Sequence, residues 1–403
     1  MNILINAYAC SPIKGSEPGM AWNWIIQLAK HCKLFVITEG EWKDDIEAYL
    51  EEHQLRTCIQ FYYNPVSDKV RTMCWNQGDW RFYYYYRKWQ KKTLTIANKI
   101  VAQESIDIIH QLNMVGYREP GLLWKIKNKP NVWGPIGGFG EIPKDYLSLY
   151  TKQSALKQSL KQLINRHQVK LPYIKKPIQG FDRLIACNSS AKIILDKISK
   201  KNTATISEVG AQTFKGVVKS KNFNSKVLKV AWVGKNDERK ALNIALDVFK
   251  EINNYNIELH IFGVAQADLS SNYKNIIYHG WLAHDKTIQE LQSCHLLLFT
   301  SLFEATGTAV LEAISYGLPV LCHNTCGMGD IIDDSCGYKI DMKGVHYSIQ
   351  HFKLKIIELF ENRDLLQSLS KGALSRVLDL SWETNAKSMV HIYKELSDTN
   401  TKP

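Results

Sequence analysis

At 403 residues the chain is longer than one hydrophobic core usually grows, so two domains are expected. With 45% hydrophobic and 22% charged residues it has the composition of an ordinary soluble globular protein. A net charge of +12 favours an anionic partner: a nucleotide diphosphate, anionic lipid or nucleic acid. Nine cysteines, an odd number in irregular spacing, argue against a disulfide framework and for a reducing cytoplasm.

The opening MNILINAYAC has no basic leader, and Asn2 and Asn6 interrupt its apolar run, so it reads as a first buried strand and not as a signal peptide. No stretch approaches the roughly 20 apolar residues of a spanning helix, so any membrane contact is expected to be peripheral. Short apolar strands follow in order: Ile3–Ala9, Leu34–Thr38, Ile59–Tyr62, Ile106–His110, Val132–Gly134 and Arg183–Cys187 in the first half. Lys229–Gly234, Glu258–Gly263, Ile276–His279, His295–Thr300 and Pro319–Cys322 follow in the second. Helical patterns lie between them, and that alternation predicts an α/β fold of two doubly wound, Rossmann-like parallel sheets. The polar, basic stretch KGVVKSKNFNSK (Lys215–Lys226) is the expected linker. The domains are then 1–214, joined by the last helix at about 381–403, and 227–380.

In such sheets ligands sit at the carboxyl ends of strands. After the first strand of each half comes a loop suited to that place: CSPIKGSEPGMAW, with Gly15, Ser16 and Gly19, and KNDERKALNIA, with Lys235 and Lys240. A third lies in SLFEATGTAVLEAISYGLP (Ser301–Pro319), where Glu304 and Glu312 stand with seven residues between them. An apolar strand precedes it and a helical pattern begins at once. Small residues at a helix start let backbone amides approach phosphate, where the dipole favours negative charge. Gly307, Thr308 and Ala309, with Ala305 and Thr306 before them, fit that role. Two carboxylates bracketing a phosphate suit a nucleotide sugar. Lys235 and Lys240 could stabilise charge on a leaving diphosphate, and no Asp-x-Asp cluster stands at a strand end to hold a metal. Each signal has a plain alternative. Glu312 could only complement the helix dipole, the lysines could be a solvated charge run, and Gly15 and Gly19 could be turn formers.

These residues resemble the retaining GT-B glycosyltransferases of glycosyltransferase family 4. The likeness rests on Glu304 and Glu312 in FEATGTAVLEA, on Gly234, Lys235 and Lys240, and on KGSEP at Lys14–Pro18. It runs on through DIIHQLN, WGPIGG (Trp133–Gly138), FDRLIACNSS, HGWLAHD and a closing SWETNAKSMVHIYKEL, similar to the family's last helix, which crosses back to the N-terminal domain. The resemblance implies retaining transfer of a hexosyl or related group from a UDP-, GDP- or ADP-sugar, with no metal or other cofactor, and the leaving phosphate taking the acceptor proton. It implies that Glu304 holds the donor sugar, Glu312 the ribose, and Lys235 and Lys240 the diphosphate. It also implies that Gly15, Ser16, Gly234 and the 305–309 loop line the donor site, that His110 sits near the reacting centre, and that Trp133, Gly137 and Gly138 lie on the acceptor side. A glycan or lipid-linked acceptor in capsule, exopolysaccharide or lipopolysaccharide synthesis is the expected setting. Here Lys235 stands where Arg is usual, which makes a bidentate clamp a point charge. Gly15-Ser16 stands where Gly-Gly is usual. Cys322, His323 and Cys326 lack a second ligand pair, so zinc is not expected.

Two basic segments lie outside the likeness. Six Arg/Lys between Arg71 and Lys92 alternate with Trp75, Trp80, Phe82, Tyr83–Tyr86 and Trp89. Seven between Thr151 and Lys176 meet no acid, with Leu156, Leu160, Leu163 and Ile164 at helical spacing. Such segments suit an anionic membrane surface, here the inner face of the cytoplasmic membrane; the alternative is a packed helix with solvated lysines. A nucleic-acid binder would also use bases and aromatics, but no RNA-module motif is present and it leaves Glu304 and Glu312 unexplained, so no nucleic-acid partner is expected. An epimerase or phosphorylase of the same fold is the closer rival.

Overall fold

Parallel strands are buried on both faces and therefore read as unbroken apolar runs. The eleven runs named above form eleven of the thirteen strands in a computed structural model that describes residues 1–76, 79–114, 116–212, 221–266 and 273–400. The first sheet holds β1 (Asn2–Ala7), β2 (Lys33–Thr38), β3 (Ile59–Tyr63), β4 (Ile108–Asn113), β5 (Asn131–Ile136), β6 (Arg183–Ala186) and β7 (Ala204–Thr205). Their order is β3-β2-β1-β4-β5-β6-β7, with every neighbouring pair parallel. The second sheet holds β8 (Leu228–Val233), β9 (Ile257–Phe262), β10 (Ile276–Gly280), β11 (Leu296–Phe299), β12 (Val320–His323) and β13 (Gly337–Ile340), in the order β10-β9-β8-β11-β12-β13, again all parallel. The short β7 and β13 were not anticipated.

The chain divides into two compact units, 1–139 with 164–209 and 382–403, and 140–163 with 210–381. In the first, side chains alternate across the sheet. Ile3 and Ile5 face one core with Trp24, Trp382 and Tyr393, while Leu4 faces another with Phe35, Tyr86 and Trp89. The closing helix Trp382–Asn400 belongs to this unit, as expected, and Trp382 packs edge-on against Trp24 at 5.9 Å.

The second unit departs from the expected boundaries. It takes in residues 140–163, which lie within the first half of the sequence, because Ile142 and Tyr146 are buried in its core. The Tyr146 hydroxyl is 2.6 Å from Ser348 Oγ and donates to the Gly344 carbonyl at 3.0 Å. Of the expected linker, residues 215–220 lie outside the described residues. The remainder is anchored: Lys221 Nζ donates to the carbonyls of Gln292 and Cys294 at 2.8 and 2.9 Å, and burial lowers its pKa to about 8. Phe223 packs against the same core.

The aromatic segment at 71–92 is mostly structural. Phe82, Tyr86 and Trp89 on the helix Arg81–Gln103 surround Tyr8, with ring centroids 5.6, 5.2 and 4.9 Å away. Arg71 pairs with Glu39 at 2.8 Å, Arg81 with Asp79 at 2.7 Å and Arg87 with Glu119 at 2.9 Å. Acids thus neutralise three of its cations, two of them, Glu39 and Glu119, from distant parts of the sequence.

Tyr146→Ala should destabilise the second unit by about 3–5 kcal/mol, through a large cavity and the loss of the Ser348 bond. Denaturant unfolding followed by probes in each unit checks this; an unchanged second-unit transition would remove residues 140–163 from that core.

Candidate functional site

In a doubly wound sheet the strand order reverses at one point, and a crevice opens there beyond the carboxyl ends of the strands. In the second unit that point lies between β8 and β11, which pair through Leu296 with Val230 and Leu297 with Ala231. The two loops that leave these strands carry the charged residues singled out in the sequence.

After β8 the chain passes Gly234 and Lys235 into a short 3₁₀ turn, Glu238–Lys240. Asp237 caps the turn, its carboxylate accepting from the Arg239 amide at 2.8 Å. Ala241 then takes a left-handed conformation with φ +47°, a position that usually favours glycine. Two bonds fix the turn to the end of β11. Thr300 Oγ donates to the Lys240 carbonyl at 2.8 Å while accepting from the Trp232 indole at 2.9 Å, and the Leu302 amide donates to the Arg239 carbonyl at 2.9 Å.

With the backbone held this way, Arg239 Nη1 and Lys240 Nζ both reach Glu304 Oε1, each at 2.5 Å. Arg239 also donates to the Phe303 carbonyl at 3.0 Å. Lys240 and Glu304 keep only 17% and 18% of their side-chain surface exposed. Glu304 Oε2 makes no hydrogen bond among the described residues and is free to accept one. Arg239 was not singled out in the sequence. It is the middle cation of an ERK triplet, and only the 3₁₀ turn shows that it points with Lys240 to one carboxylate. Lys235 stands apart: it is exposed, with its ammonium 5.9 Å from the ring of Trp281.

Beyond Glu304 the loop reaches Gly307, whose φ of +83° opens the helix Thr308–Ser315. No side chain caps that helix. Gly327 packs behind the loop; a Cβ there would strike the Ala305 carbonyl oxygen and the Thr306 backbone, so glycine is required by close approach. Glu312 lies one turn into the helix, half-buried, with no hydrogen-bond or ion-pair partner among the described residues. Burial raises its carboxyl pKa, and His284 opposes that weakly. A sheltered carboxylate without a partner is suited to accept hydrogen bonds from outside the chain.

In the first unit the structure corrects two expectations. His110 is wholly buried, with Nε2 donating to the Gly134 carbonyl at 2.7 Å and Nδ1 2.6 Å from the Tyr393 hydroxyl. Burial depresses its pKa to about 4. Both nitrogens are used within the fold, so here it is a neutral core histidine. Trp133 is also a core residue, 1% exposed and 5.4 Å from the Phe181 ring. Gly137 is buried and accepts from the Tyr117 amide at 3.2 Å, while Gly138 is exposed with φ +89°. The Gly15–Ser16 turn is exposed, and Ser16 has φ +55°, the conformation a second glycine would adopt without strain. The pair Cys322 and His323 is buried, and the His323 nitrogens lie 3.2 Å from the Ser301 carbonyl and 2.9 Å from Ser348 Oγ.

Known proteins resemble the chain in both sequence and fold. Residues 216–376 match the family model for glycosyl transferases group 1. An uncharacterized glycosyltransferase of Methanocaldococcus jannaschii is 23% identical over 314 residues, 75% of this chain and 79% of the relative. A glycogen synthase of Bacillus cereus is 25% identical over 49% of this chain, which spans 47% of that relative's length. Among solved structures, Anabaena HepE in complex with UDP-glucose aligns with a TM-score of 0.55 at 14% identity, covering 98% of this chain and 100% of that one. The lipopolysaccharide outer core galactosyltransferase WaaB aligns with a TM-score of 0.60 at 16% identity, covering 97% and 99%.

Burial raises the folded-state carboxyl pKa of Glu312. Its contribution to stability is therefore full below the unfolded value of about 4.3 and is lost as pH rises through the folded value. Glu312→Gln should consequently raise the thermal midpoint at pH 7, with the gain shrinking as pH falls through the raised folded value and gone below about 4. A variant less stable than the parent at pH 7 would show that the carboxylate has a partner in the fold. The fold as a whole is GT-B, and residues 216–376 match the model for glycosyl transferases group 1.

Proposed function

We propose that the chain is a retaining glycosyltransferase of the family 4 type, moving a hexosyl or related group from a nucleotide-diphospho sugar to a glycan or lipid-linked acceptor without a metal. The convergence of Arg239 and Lys240 on Glu304 at the switch point of the second sheet carries this reading. Two aligned cations beside an uncapped helix start match the charge that develops on a leaving diphosphate. On this reading Glu304 Oε2 accepts from the donor sugar, and Glu312 from the ribose diol. The bond from the anomeric carbon to the phosphate oxygen breaks as the bond to the acceptor oxygen forms. The acceptor proton passes to the phosphate oxygen released on the same face, so no side-chain base is needed. That agrees with His110 being engaged in the core. The UDP-glucose bound by HepE and the galactosyl transfer named for WaaB support a nucleotide-sugar donor and a role in cell-surface polysaccharide synthesis.

Incubating the purified protein with UDP-, GDP- and ADP-sugars should show slow hydrolysis of one nucleotide class, undiminished by chelator. Hydrolysis of none, or its loss with chelator, would overturn the donor or the metal-free assignment respectively. Glu304→Ala and Lys240→Ala should each lower transfer at least tenfold, about 1.4 kcal/mol of barrier, with the fold intact. Near-normal turnover in either variant would move the donor site elsewhere.

A further inference from the structure

The helix Lys152–Gln168 is built inside out. Its polar face packs inward. Gln162 is buried, its Oε1 accepting from the Ile142 amide at 2.8 Å and its Nε2 donating to the Ile142 carbonyl at 3.2 Å. Gln158 donates to Gln162 at 3.0 Å, and Asn165 Oδ1 accepts from Arg118 at 2.6 Å. The apolar face is turned to water: Leu156 is 73% exposed, Leu160 56%, Leu163 52% and Ile164 46%. Steps of four, three and one place these four on one arc of about 100°. Lys157 and Lys161 border that arc on one side and Lys152 on the other, all exposed and without a carboxylate partner among the described residues. No acid occurs between Thr151 and Lys176.

We propose that this face docks on an anionic bilayer surface. An amphipathic helix lying in a membrane interface needs an apolar arc one headgroup deep with cations at its margins, whose stems reach along the apolar surface while the ammonium groups stay in water. This helix presents both. The unpaired lysines select an anionic lipid over a protein face of mixed charge. The aromatic segment at 71–92, the other candidate in the sequence, differs: its three arginines are paired with acids, and Phe82, Tyr86 and Trp89 are committed to the core. No helix among the described residues is long and apolar enough to cross a membrane, so the contact is to the surface. The inference goes beyond the transfer reading and is tested apart from it.

The test is co-sedimentation of the full chain with neutral phosphatidylcholine vesicles and with vesicles containing a third phosphatidylglycerol, together with the triple variant Leu156→Gln, Leu160→Gln, Leu163→Gln. Binding should be confined to the anionic vesicles, weaken with added salt, and fall at least tenfold in the triple variant. The replaced side chains are solvent-exposed, so circular dichroism and donor hydrolysis should stay as in the parent. No binding to anionic vesicles, or binding unaffected by the triple variant, would overturn the proposal. So would a concentration-dependent dimer that the same variant dissociates, since the face would then be covered by a second copy. Loss of donor hydrolysis in the parent protein would refute the transfer reading while leaving the vesicle result to stand on its own.

Discussion

The site depends on one carboxylate oxygen holding two cations. Arg239 and Lys240 are adjacent in sequence and would repel each other if both turned inward alone; Glu304 makes that arrangement favourable. The carboxylate in turn is sheltered enough that losing its partners would leave an uncompensated charge. What makes the geometry possible is backbone: the left-handed Ala241, the Asp237 cap, and the relay from the Trp232 indole through Thr300 to the Lys240 carbonyl. That relay ties the exits of two neighbouring strands together, so the ion cluster inherits the rigidity of the sheet.

On the proposed reading, a diphosphate would meet a cluster that is already paired. Glu304 Oε1 holds both cations in place, and on that reading its Oε2 is the atom left to accept from the sugar. The positive groups are fixed before the donor arrives and need no reorganisation as charge develops. The helix opening at Gly307 adds uncapped amides to the same loop, and Gly327 allows a second short helix to press on the loop from behind. Glu312 shows the cost of such a site: a partnerless carboxylate held in a sheltered place works against folding at neutral pH.

The alternation of strands and helices was legible because parallel strands are apolar on both faces, and the run HLLLFT or KVAWVG admits little else. β7, at two residues, gives too short a run to be seen, and β13 (GYKI) is broken by Gly337 and Lys339 and shows no apolar run. Glu304, Glu312 and Lys240 were legible from spacing. Arg239 was not, because a cation in a polar loop gains its meaning from the turn that aims it. His110 and Trp133 stood at plausible strand ends, yet burial decided their roles: a histidine with both nitrogens engaged inside a core has nothing left to offer a substrate. The placement of residues 140–163 was hidden for a different reason. It rests on contacts such as Tyr146 with Ser348, about two hundred positions apart, which no local pattern records.

Periodicity also told only half of the helix Lys152–Gln168. It gives the arc on which the leucines lie, not the side of the molecule that the arc faces. The direction is set by Ile142, whose amide and carbonyl are both satisfied by the single amide group of Gln162. Turning the leucines inward would recover about 1.5–3 kcal/mol for each fully buried leucine. It would also strand two backbone groups, at about 1–3 kcal/mol each, and bring the flanking lysines toward the protein. The two arrangements are close enough in free energy that the protein alone gives no strong reason to keep three leucines in water. A surface that covers the leucines and also neutralises the lysines favours the observed orientation over the reverse, because only then are the backbone of Ile142, the apolar arc and the unpaired charges all satisfied at once.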